Sequence, residues 1–302
     1  MSDLFPGFKS RRIATSGAQI NLVIGGHGPP LLLLHGYPQT HAMWNKVAPH
    51  LAGHFTVVCS DLRGYGDSSK PTSAPDHAPY SKRTMARDQV EAMQALGYSR
   101  FLLAGHDRGG RVSHRLARDH AERVERLAVL DISPTAAMYA QTDMAFATAY
   151  YHWFFLIQPY DLPERLIGAD PTYFLRRKLG GLASKLEHFD PRAYAEYERC
   201  FGDPATIHAS CEDYRASATI DLEHDAADAA TKLECPVLAL WGDKGVVHRL
   251  FDPLADWSAV ARDVRGRALD CGHYLAEEAP EATAAELLAF FRGAQRPYED
   301  AR

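Results

Sequence analysis

Several features that would assign this chain of 302 residues to a specialised class of protein are missing from its sequence. The N-terminus has no apolar core of the kind found in export signals, and no segment approaches the roughly 20 apolar residues that span a bilayer. The net charge of -5 provides no general attraction to nucleic acid or to an anionic membrane. We therefore expect an ordinary soluble globular protein that has neither nucleic acid nor a membrane as its partner.

Cysteine is scarce, and its spacing matches no common redox motif. No CxxC pair occurs in the sequence. In a chain without an export signal, such cysteines are most simply reduced thiols in the protein core. The sequence therefore predicts a cytoplasmic location. The cysteines are Cys59, Cys200, Cys211, Cys235 and Cys271.

The segment 101–111, FLLAGHDRGGR, is the motif around which the chain is organised. Its apolar run is followed by Asp107 between glycines and then by apolar residues at helical spacing. This is the strand, sharp turn and helix of the nucleophile elbow of α/β-hydrolases. The glycines permit a strained turn and a close approach of strand to helix. Asp107 is therefore the candidate nucleophile, where most α/β-hydrolases have serine; the alternative is that it only caps the helix.

A carboxylate nucleophile predicts a reaction different from that of serine. It is suited to displacing a leaving group from a saturated carbon, which leaves an alkyl ester on the enzyme. A histidine-activated water must then hydrolyse this ester. His273 follows the last predicted strand, and the order nucleophile, acid, histidine is the order in this fold. His273 is therefore the predicted base, with an ordinary surface histidine as the alternative.

Two carboxylates could orient His273. The commoner position for the acid lies four residues beyond Trp241, but Gly245 occupies it. Asp131 ends the preceding core strand and fills the other position, so we favour Asp131 over Asp243. In either case the acid holds the imidazole tautomer and stabilises the imidazolium.

Short apolar runs separated by helical patterns predict an α/β-hydrolase fold, with a mostly parallel central sheet flanked by helices. Between 135 and 225 this alternation gives way to aromatic-rich helical segments with several prolines. We interpret that interval as an inserted helical cap over the mouth of the sheet. The predicted domains are a first core part at 1–134, the cap at 135–225 and a second core part at 226–302.

Arg108 and Arg111 indicate the class of substrate. They lie three residues apart at the start of a helix and can share a face. Two guanidinium groups can hold a substrate carboxylate through paired charge-assisted hydrogen bonds. They also offset repulsion between an anionic substrate and Asp107, which is about 4 kcal/mol for unit charges roughly 4 Å apart at an effective dielectric near 20. The alternative is that either arginine forms an ion pair with a surface acid.

The predicted cap supplies neutral hydrogen-bond donors for a departing anion. His152, Trp153 and, later in the chain, Tyr214 carry N–H or O–H groups without fixed charge. A departing halide needs such donors, and fluoride needs them most because it is the poorest leaving group. Packing of the cap interior is the alternative. The backbone amides of Tyr37 and Arg108 are candidates for the oxyanion hole.

The chain resembles the fluoroacetate, or haloacetate, dehalogenases over essentially its whole length. The matching segments are GHDRGGR at 105–111, LDISPT at 130–135, YHWFFLIQP at 151–159, EDYRASATIDLEHD at 212–225 and CGHYLAEE at 271–278. The resemblance implies hydrolysis of 2-haloacetates to glycolate and halide by an enzyme that is commonly a homodimer and uses no metal or other cofactor. It also implies these roles: Asp107 as nucleophile, His273 as base, Asp131 as its partner, Arg108 and Arg111 for the carboxylate, and His152, Trp153 and Tyr214 for the halide.

Two other functions stay open from the sequence. An epoxide hydrolase shares the Asp elbow and the cap, and it would need two cap tyrosines as acids, namely Tyr214 with Tyr150 or Tyr151. A non-catalytic ligand receptor built on this fold would not need the intact set of Asp107, His273 and an acid.

Overall fold

The computed structural model describes residues 4–181 and 184–293; the ends of the predicted core, 1–3 and 294–302, lie outside these ranges. The described residues form one eight-stranded sheet, with strands β1 (Lys9–Ala14), β2 (Gln19–Gly26), β3 (Pro30–Leu34), β4 (Thr56–Ser60), β5 (Phe101–His106), β6 (Val124–Leu130), β7 (Val237–Gly242) and β8 (Val264–Leu269). Their spatial order is β1-β2-β4-β3-β5-β6-β7-β8. The pairs β1 with β2 and β2 with β4 are antiparallel, and every other pair is parallel. The predicted, mostly parallel sheet is confirmed.

The central strands are buried along most of their length. All six residues of β5 and four of the five in β3 are buried, as expected for apolar runs in a parallel sheet that helices cover on both faces. The register aligns the carboxyl ends of neighbouring strands, because Leu34 pairs with Gly105, His106 with Leu130, and Leu130 with Leu240. The segments that follow β3, β5, β6 and β7 therefore meet at one edge of the sheet.

Helices connect the strands and form the region above this edge. Those in the described residues are α1 (Ala48–Ala52), α2 (Lys82–Ala95), α3 (Arg108–Asp119), α4 (Thr135–Ala140), α5 (Met144–Ala149), α6 (Tyr151–Phe155), α7 (Leu162–Gly168), α8 (Pro171–Leu179), α9 (Pro191–Phe201), α10 (Pro204–Ala218), α11 (Ile220–Ala227), α12 (Val246–Leu250), α13 (Pro253–Val260), α14 (Leu275–Glu278) and α15 (Pro280–Phe291). Short 3-10 helices lie at His41–Trp44, Ala78–Tyr80 and Leu186–His188. No helix in the described ranges is long and apolar enough to cross a membrane.

The interval between β6 and β7 holds α4 to α11 and, in its described part, no strand. Helix α4 begins at Thr135, where the cap is predicted to begin, while α11 runs to Ala227 and so crosses the predicted end of the cap at 225. The division into core parts 1–134 and 226–302 and cap 135–225 stays a prediction. A second boundary after Ala227 would keep helix α11 within one part.

Buried polar contacts join the segment α4–α11 to the rest of the chain. Lys82 on α2 forms ion pairs with Asp213 on α10 and, at 3.1 Å, with Asp221 on α11. The hydroxyl of Tyr65 donates a hydrogen bond to Asp213 at 2.6 Å. Since all of these side chains are buried, the cap segment is held in a defined position over the carboxyl edge of the sheet.

Candidate active site

Asp107 lies at the sharp turn between β5 and α3. Its φ of 45° and ψ of -115° are unusual for a residue with a side chain, and such strain costs roughly 1–3 kcal/mol and persists only where the surroundings enforce it. Gly105 and Gly109 make the turn possible, since a Cβ on either would come within 2.4 Å of a backbone oxygen. The elbow predicted from the sequence is thus present, with the Asp107 side chain at the sheet edge.

The Asp107 carboxylate is held by one oxygen. Its Oδ2 accepts a hydrogen bond from the Tyr37 amide at 3.1 Å, whereas Oδ1 has no hydrogen-bond partner among the described residues. Burial raises the pKa of Asp107, but His273 and Arg111 outweigh this effect and lower it. The side chain is therefore an ionised carboxylate with one oxygen free. The Arg108 amide makes no hydrogen bond to Asp107 here, so the predicted oxyanion pair is represented by Tyr37 alone.

His273 is oriented by Asp131. Its Nδ1 lies 2.6 Å from Oδ2 of Asp131, whose Oδ1 accepts a hydrogen bond from the Gly242 amide at 3.0 Å. A carboxylate can only accept, so Nδ1 carries the proton and Nε2 is free to act as a base. Asp243, the alternative acid, is exposed and has no contact with His273. The structure thus brings His273 to Asp131 and leaves Asp243 in a turn.

A second histidine, His106, holds the backbone of His273. His106 ends β5, and its Nε2 donates a hydrogen bond to the backbone oxygen of His273 at 2.8 Å. Burial, with repulsion from His273, lowers the pKa of His106 to about 3, so its imidazole is neutral. His106 therefore fixes the position of the His273 backbone.

Arg108 is not a free cation, which differs from the simplest expectation for a pair of arginines. It is fully buried, and its Nε and Nη2 donate to Asp213 at 2.9 Å and 2.6 Å. Arg111 donates from Nη1 to the backbone oxygen of Ser133 and to the Thr135 hydroxyl. In each guanidinium one buried nitrogen lacks a partner, namely Nη1 of Arg108 and Nε of Arg111. Burying N–H groups without a hydrogen-bond partner costs free energy, unless an anion binds and accepts hydrogen bonds from them.

The three predicted halide ligands surround the same space. The Nε1 of Trp153 and the hydroxyl of Tyr214 are buried without a partner. The Arg111 guanidinium lies 4.6 Å from the Trp153 ring centroid, and the Arg108 guanidinium 4.1 Å from that of Tyr214. His152 stacks on Tyr37 with centroids 6.2 Å apart and meets Tyr214 edge to face at 5.7 Å. The donors and the two arginines therefore form one cluster.

Two contributors to this site were not assigned a role from the sequence. Asp213 pairs with Arg108, and Lys178 Nζ lies 2.6 Å from Nδ1 of His152. Tyr150, which the sequence offered only as an acid of an epoxide hydrolase, packs edge to face with His273 at 6.4 Å. Only Lys178 could have been found from the sequence. Its spacing from Leu175 and Leu179 places it on the apolar face of a helix. A charged residue in such a stripe indicates a buried cation.

The site is almost closed to solvent. The side chains named above as nucleophile, base, acid, guanidinium pair and neutral donors are all at most 4% exposed. A small substrate bound among them is largely desolvated, which strengthens every electrostatic contact. No group of three His, Cys, Asp or Glu residues in the described ranges is arranged to hold a metal ion.

Comparison with known proteins places these observations in a family. Residues 29–280 match the family model for the alpha/beta hydrolase fold. The chain is 49% identical to a fluoroacetate dehalogenase from Burkholderia sp, over 97% of this chain and 96% of the relative. It is also 38% identical to a soluble epoxide hydrolase from Corynebacterium sp. (strain C12), over 91% of this chain and 94% of the relative.

A solved structure agrees with this assignment. The crystal structure of a chain from Nostoc sp PCC 7120, described as an alpha/beta hydrolase, is 60% identical and superposes with a TM-score of 0.94, covering 95% of this chain and 98% of that one. Both the predicted fold and the resemblance to fluoroacetate dehalogenases are confirmed. The chain belongs to the α/β-hydrolase family and is similar over nearly its full length to a fluoroacetate dehalogenase.

Proposed function

We propose that the protein hydrolyses 2-haloacetates, fluoroacetate and chloroacetate among them, to glycolate and halide. The observation that carries this proposal is the position of the two unpartnered guanidinium N–H groups, on Arg108 and Arg111, beside a carboxylate with a free oxygen. A small carboxylic acid would complete both N–H groups and present its 2-carbon to Asp107. The similarity to a fluoroacetate dehalogenase supports the same substrate class.

In the first step, Oδ1 of Asp107 attacks the carbon that carries the halogen. The new carbon–oxygen bond forms as the carbon–halogen bond breaks, and the bonding electrons leave with the halide. The N–H groups of His152 and Trp153 and the O–H of Tyr214 receive the halide. Because these donors are neutral and buried, they are strong hydrogen-bond partners for an anion in a site with little water.

In the second step, the ester on Asp107 is hydrolysed. Nε2 of His273 takes a proton from water, which attacks the ester carbonyl carbon, and Asp131 stabilises the imidazolium that forms. The Tyr37 amide already holds Oδ2, so it is placed to stabilise the oxyanion that develops on that atom. The Arg108 amide, at the first position of α3, is the proposed second donor. As the tetrahedral intermediate collapses, the imidazolium of His273 returns its proton to the departing glycolate oxygen, and Asp107 becomes a carboxylate again on losing the second proton of the water.

The assay that tests this proposal measures halide release from fluoroacetate, chloroacetate and 2-halopropionates, alongside diol formation from styrene oxide. We expect halide release well above the uncatalysed rate and little diol. Efficient turnover of styrene oxide without halide release from any haloacid would contradict the proposal and favour an epoxide hydrolase.

An epoxide hydrolase is the second candidate, because two cap tyrosines do lie near the nucleophile. Tyr150 and Tyr214 are both buried there, whereas Tyr151 is 48% exposed, so Tyr150 and Tyr214 would be the two acids. The similarity to the Corynebacterium epoxide hydrolase also supports this reading. A neutral epoxide, however, would leave the N–H groups of Arg108 and Arg111 buried without partners, so we favour the haloacid.

Two further proposals concern the whole molecule, which we take to be a cytoplasmic homodimer. The dimer follows from the family resemblance, and several apolar side chains on the cap segment are exposed: Met144, Tyr160, Leu162, Leu166 and Tyr173. Leu162 and Leu166 lie four residues apart on α7 and so share an exposed face, and contiguous exposed apolar surface marks an interaction site. Light scattering after size-exclusion chromatography should give twice the mass of the chain, and a monomer at micromolar concentration would contradict the proposal.

A further inference from the structure

Lys178 and Arg111 differ from the other buried cations of the described residues. Five buried Lys and Arg side chains have a carboxylate oxygen within 4.0 Å, namely Arg63, Lys82, Arg108, Arg115 and Arg215. Within the same ranges, Arg111 and Lys178 have none. A buried charge without a counter-charge is costly, which is the arrangement expected where an anion arrives during function. The substrate carboxylate accounts for Arg111, whereas nothing in the proposed mechanism yet uses Lys178.

Lys178 contacts the site through His152. Its Nζ lies 2.6 Å from His152 Nδ1, and the two side chains are 4% and 3% exposed. Burial and then repulsion from Lys178 lower the pKa of His152 well below its usual value, so the imidazole is neutral. A neutral imidazole has one N–H, and an ammonium group can only donate. When Lys178 donates to Nδ1, the proton of His152 must therefore be on Nε2.

We propose that Lys178, as an ammonium group, fixes His152 in the Nε2–H tautomer and supplies a positive charge behind the halide-binding donors. Lys178 does not touch the substrate, so it is a positioning residue. The inference rests on the proposed function, because it concerns the halide that the first step releases.

The charge movement of the first step explains why this position matters. Negative charge leaves Asp107 as the ester forms and appears on the halide, between His152, Trp153 and Tyr214. A cation behind His152 stabilises the new charge and polarises the Nε2–H bond toward it. If Nδ1 carried the proton instead, Nε2 would present a lone pair to the anion and repel it.

Burial makes the charged form of Lys178 costly in the free enzyme. It lowers the pKa of Lys178 to about 7, and the negative charge of Asp107 opposes the decrease, so the ammonium form predominates below about pH 7. Among the described residues, the other polar groups in contact with Lys178 are His152 and Tyr151 on α6, and Tyr274, whose hydroxyl donates to the Lys178 backbone oxygen. None of them supplies a second negative charge, so a bound halide would be the anion that completes the environment of Lys178.

The experiment compares Lys178→Met with wild type in single turnovers of fluoroacetate and chloroacetate. Methionine keeps the length and apolar character of the stem, and Arg177→Met on the exposed side of α8 is the matched control. We expect fluoride release to fall about tenfold more than chloride release, because fluoride is the poorer leaving group and depends more on the donors that receive it; tenfold is equivalent to roughly 1.4 kcal/mol of transition-state stabilisation. Hydrolysis of the ester, measured separately after the halide is released, should change by less than about twofold because no halide bond breaks in that step.

The outcomes separate the inference from the proposed function. Wild-type enzyme that releases no halide from any haloacetate would end the proposed function itself. Active wild type with equal losses of fluoride and chloride release in Lys178→Met, or with no loss, would overturn the role of Lys178. If Lys178→Met does not fold, Lys178→Gln carries the same test, with the same direction and a smaller change.

A spectroscopic measurement tests the tautomer without activity. In protein labelled with ¹⁵N-histidine, long-range proton–nitrogen correlation spectra distinguish Nε2–H from Nδ1–H. We expect His152 to be Nε2–H in wild type and in Arg177→Met, and to shift toward Nδ1–H or a mixture in Lys178→Met. An unchanged Nε2–H tautomer in Lys178→Met would show that Lys178 does not set it.

Discussion

Gly245 lies against the carboxylate of Asp131, so that a Cβ on Gly245 would be 3.4 Å from Oδ1 and 3.7 Å from Oδ2. Asp131 follows β6, whereas Gly245 follows β7 and is the N-cap residue of α12. The two positions from which an acid could orient His273 therefore converge on one point in space. A glycine at 245 leaves this point to the side chain of Asp131.

Because the two positions converge, the acid that orients His273 should also work from residue 245 in place of residue 131. Asp131→Asn should lower kcat by about 10³- to 10⁴-fold, as expected when an amide favours the wrong histidine tautomer. Asp131→Gly with Gly245→Asp should recover at least about tenfold over Asp131→Gly alone, because the new carboxylate starts near the old one. The φ of 52° at residue 131 suits glycine, and the φ of -77° at residue 245 suits any residue. A double variant no better than Asp131→Gly would show that the second position cannot reach His273.

Replacing the base should stop the reaction between its two steps. In His273→Asn, Asp107 can still attack, but no group activates water, so the carboxymethyl ester should accumulate on the peptide that contains Asp107. Mass spectrometry of that peptide after exposure to chloroacetate measures the adduct. Wild type treated in the same way is the control, since its ester turns over. Unmodified Asp107 in the variant would contradict an aspartyl-ester intermediate.

Arg111→Lys should impair recognition of the substrate carboxylate. Lysine keeps the charge but loses the planar fork that contacts Ser133, Thr135 and the substrate together. We expect kcat/KM for chloroacetate to fall by about 10²-fold, equivalent to roughly 3 kcal/mol. Arg87→Lys, an exposed replacement on α2, is the matched control. A change below about threefold would mean that Arg111 does not bind the substrate.

Glu277 predicts a pH-dependent stability at the contact between α9 and α14. Burial raises its pKa to about 8, and its Oε1 accepts a hydrogen bond from Tyr197 at 2.5 Å. The folded state thus holds a proton that the unfolded state loses near its ordinary pKa of 4.5. The stabilisation from this proton is complete below about pH 4.5, declines by up to roughly 1.4 kcal/mol per pH unit, and is absent above about pH 8.

Glu277→Gln removes the titratable group and keeps the shape of the side chain. Its free energy of unfolding, relative to wild type, should therefore rise between pH 5 and pH 8, as measured by urea unfolding at several pH values. Glu281→Gln, at an exposed position on α15, should show no such trend. A constant difference for Glu277→Gln would mean that Glu277 is ionised throughout.

Sequence patterns were sufficient where the determining interactions are local. The run of four leucines in β3 predicts a buried strand, and the glycines around Asp107 predict the elbow, because strand and turn preferences depend on neighbouring residues. The last predicted strand, which precedes His273, is present as β8. The predicted end of the cap at 225 stays a prediction, and it falls inside helix α11, which continues to Ala227.

The contacts that tune the site could not be read from the sequence. Arg108 and Asp213 are 105 residues apart, and His152 and Lys178 are 26 apart on different helices. Neither pair has a spacing that indicates contact, because both depend on how the cap segment packs over the sheet. The adjacent Tyr150 and Tyr151 were likewise equivalent in sequence, and only packing makes one buried and the other half exposed.

The central claim, that Asp107 supplies the oxygen of the product, is tested most directly by one turnover in ¹⁸O-labelled water with enzyme in excess over chloroacetate. Water attacks the ester carbonyl in the proposed mechanism, so the label should be found in the carboxylate of Asp107 and the glycolate should be unlabelled. Glycolate that contains the label, with unlabelled Asp107, would mean that water attacks the 2-carbon directly, and would contradict the account.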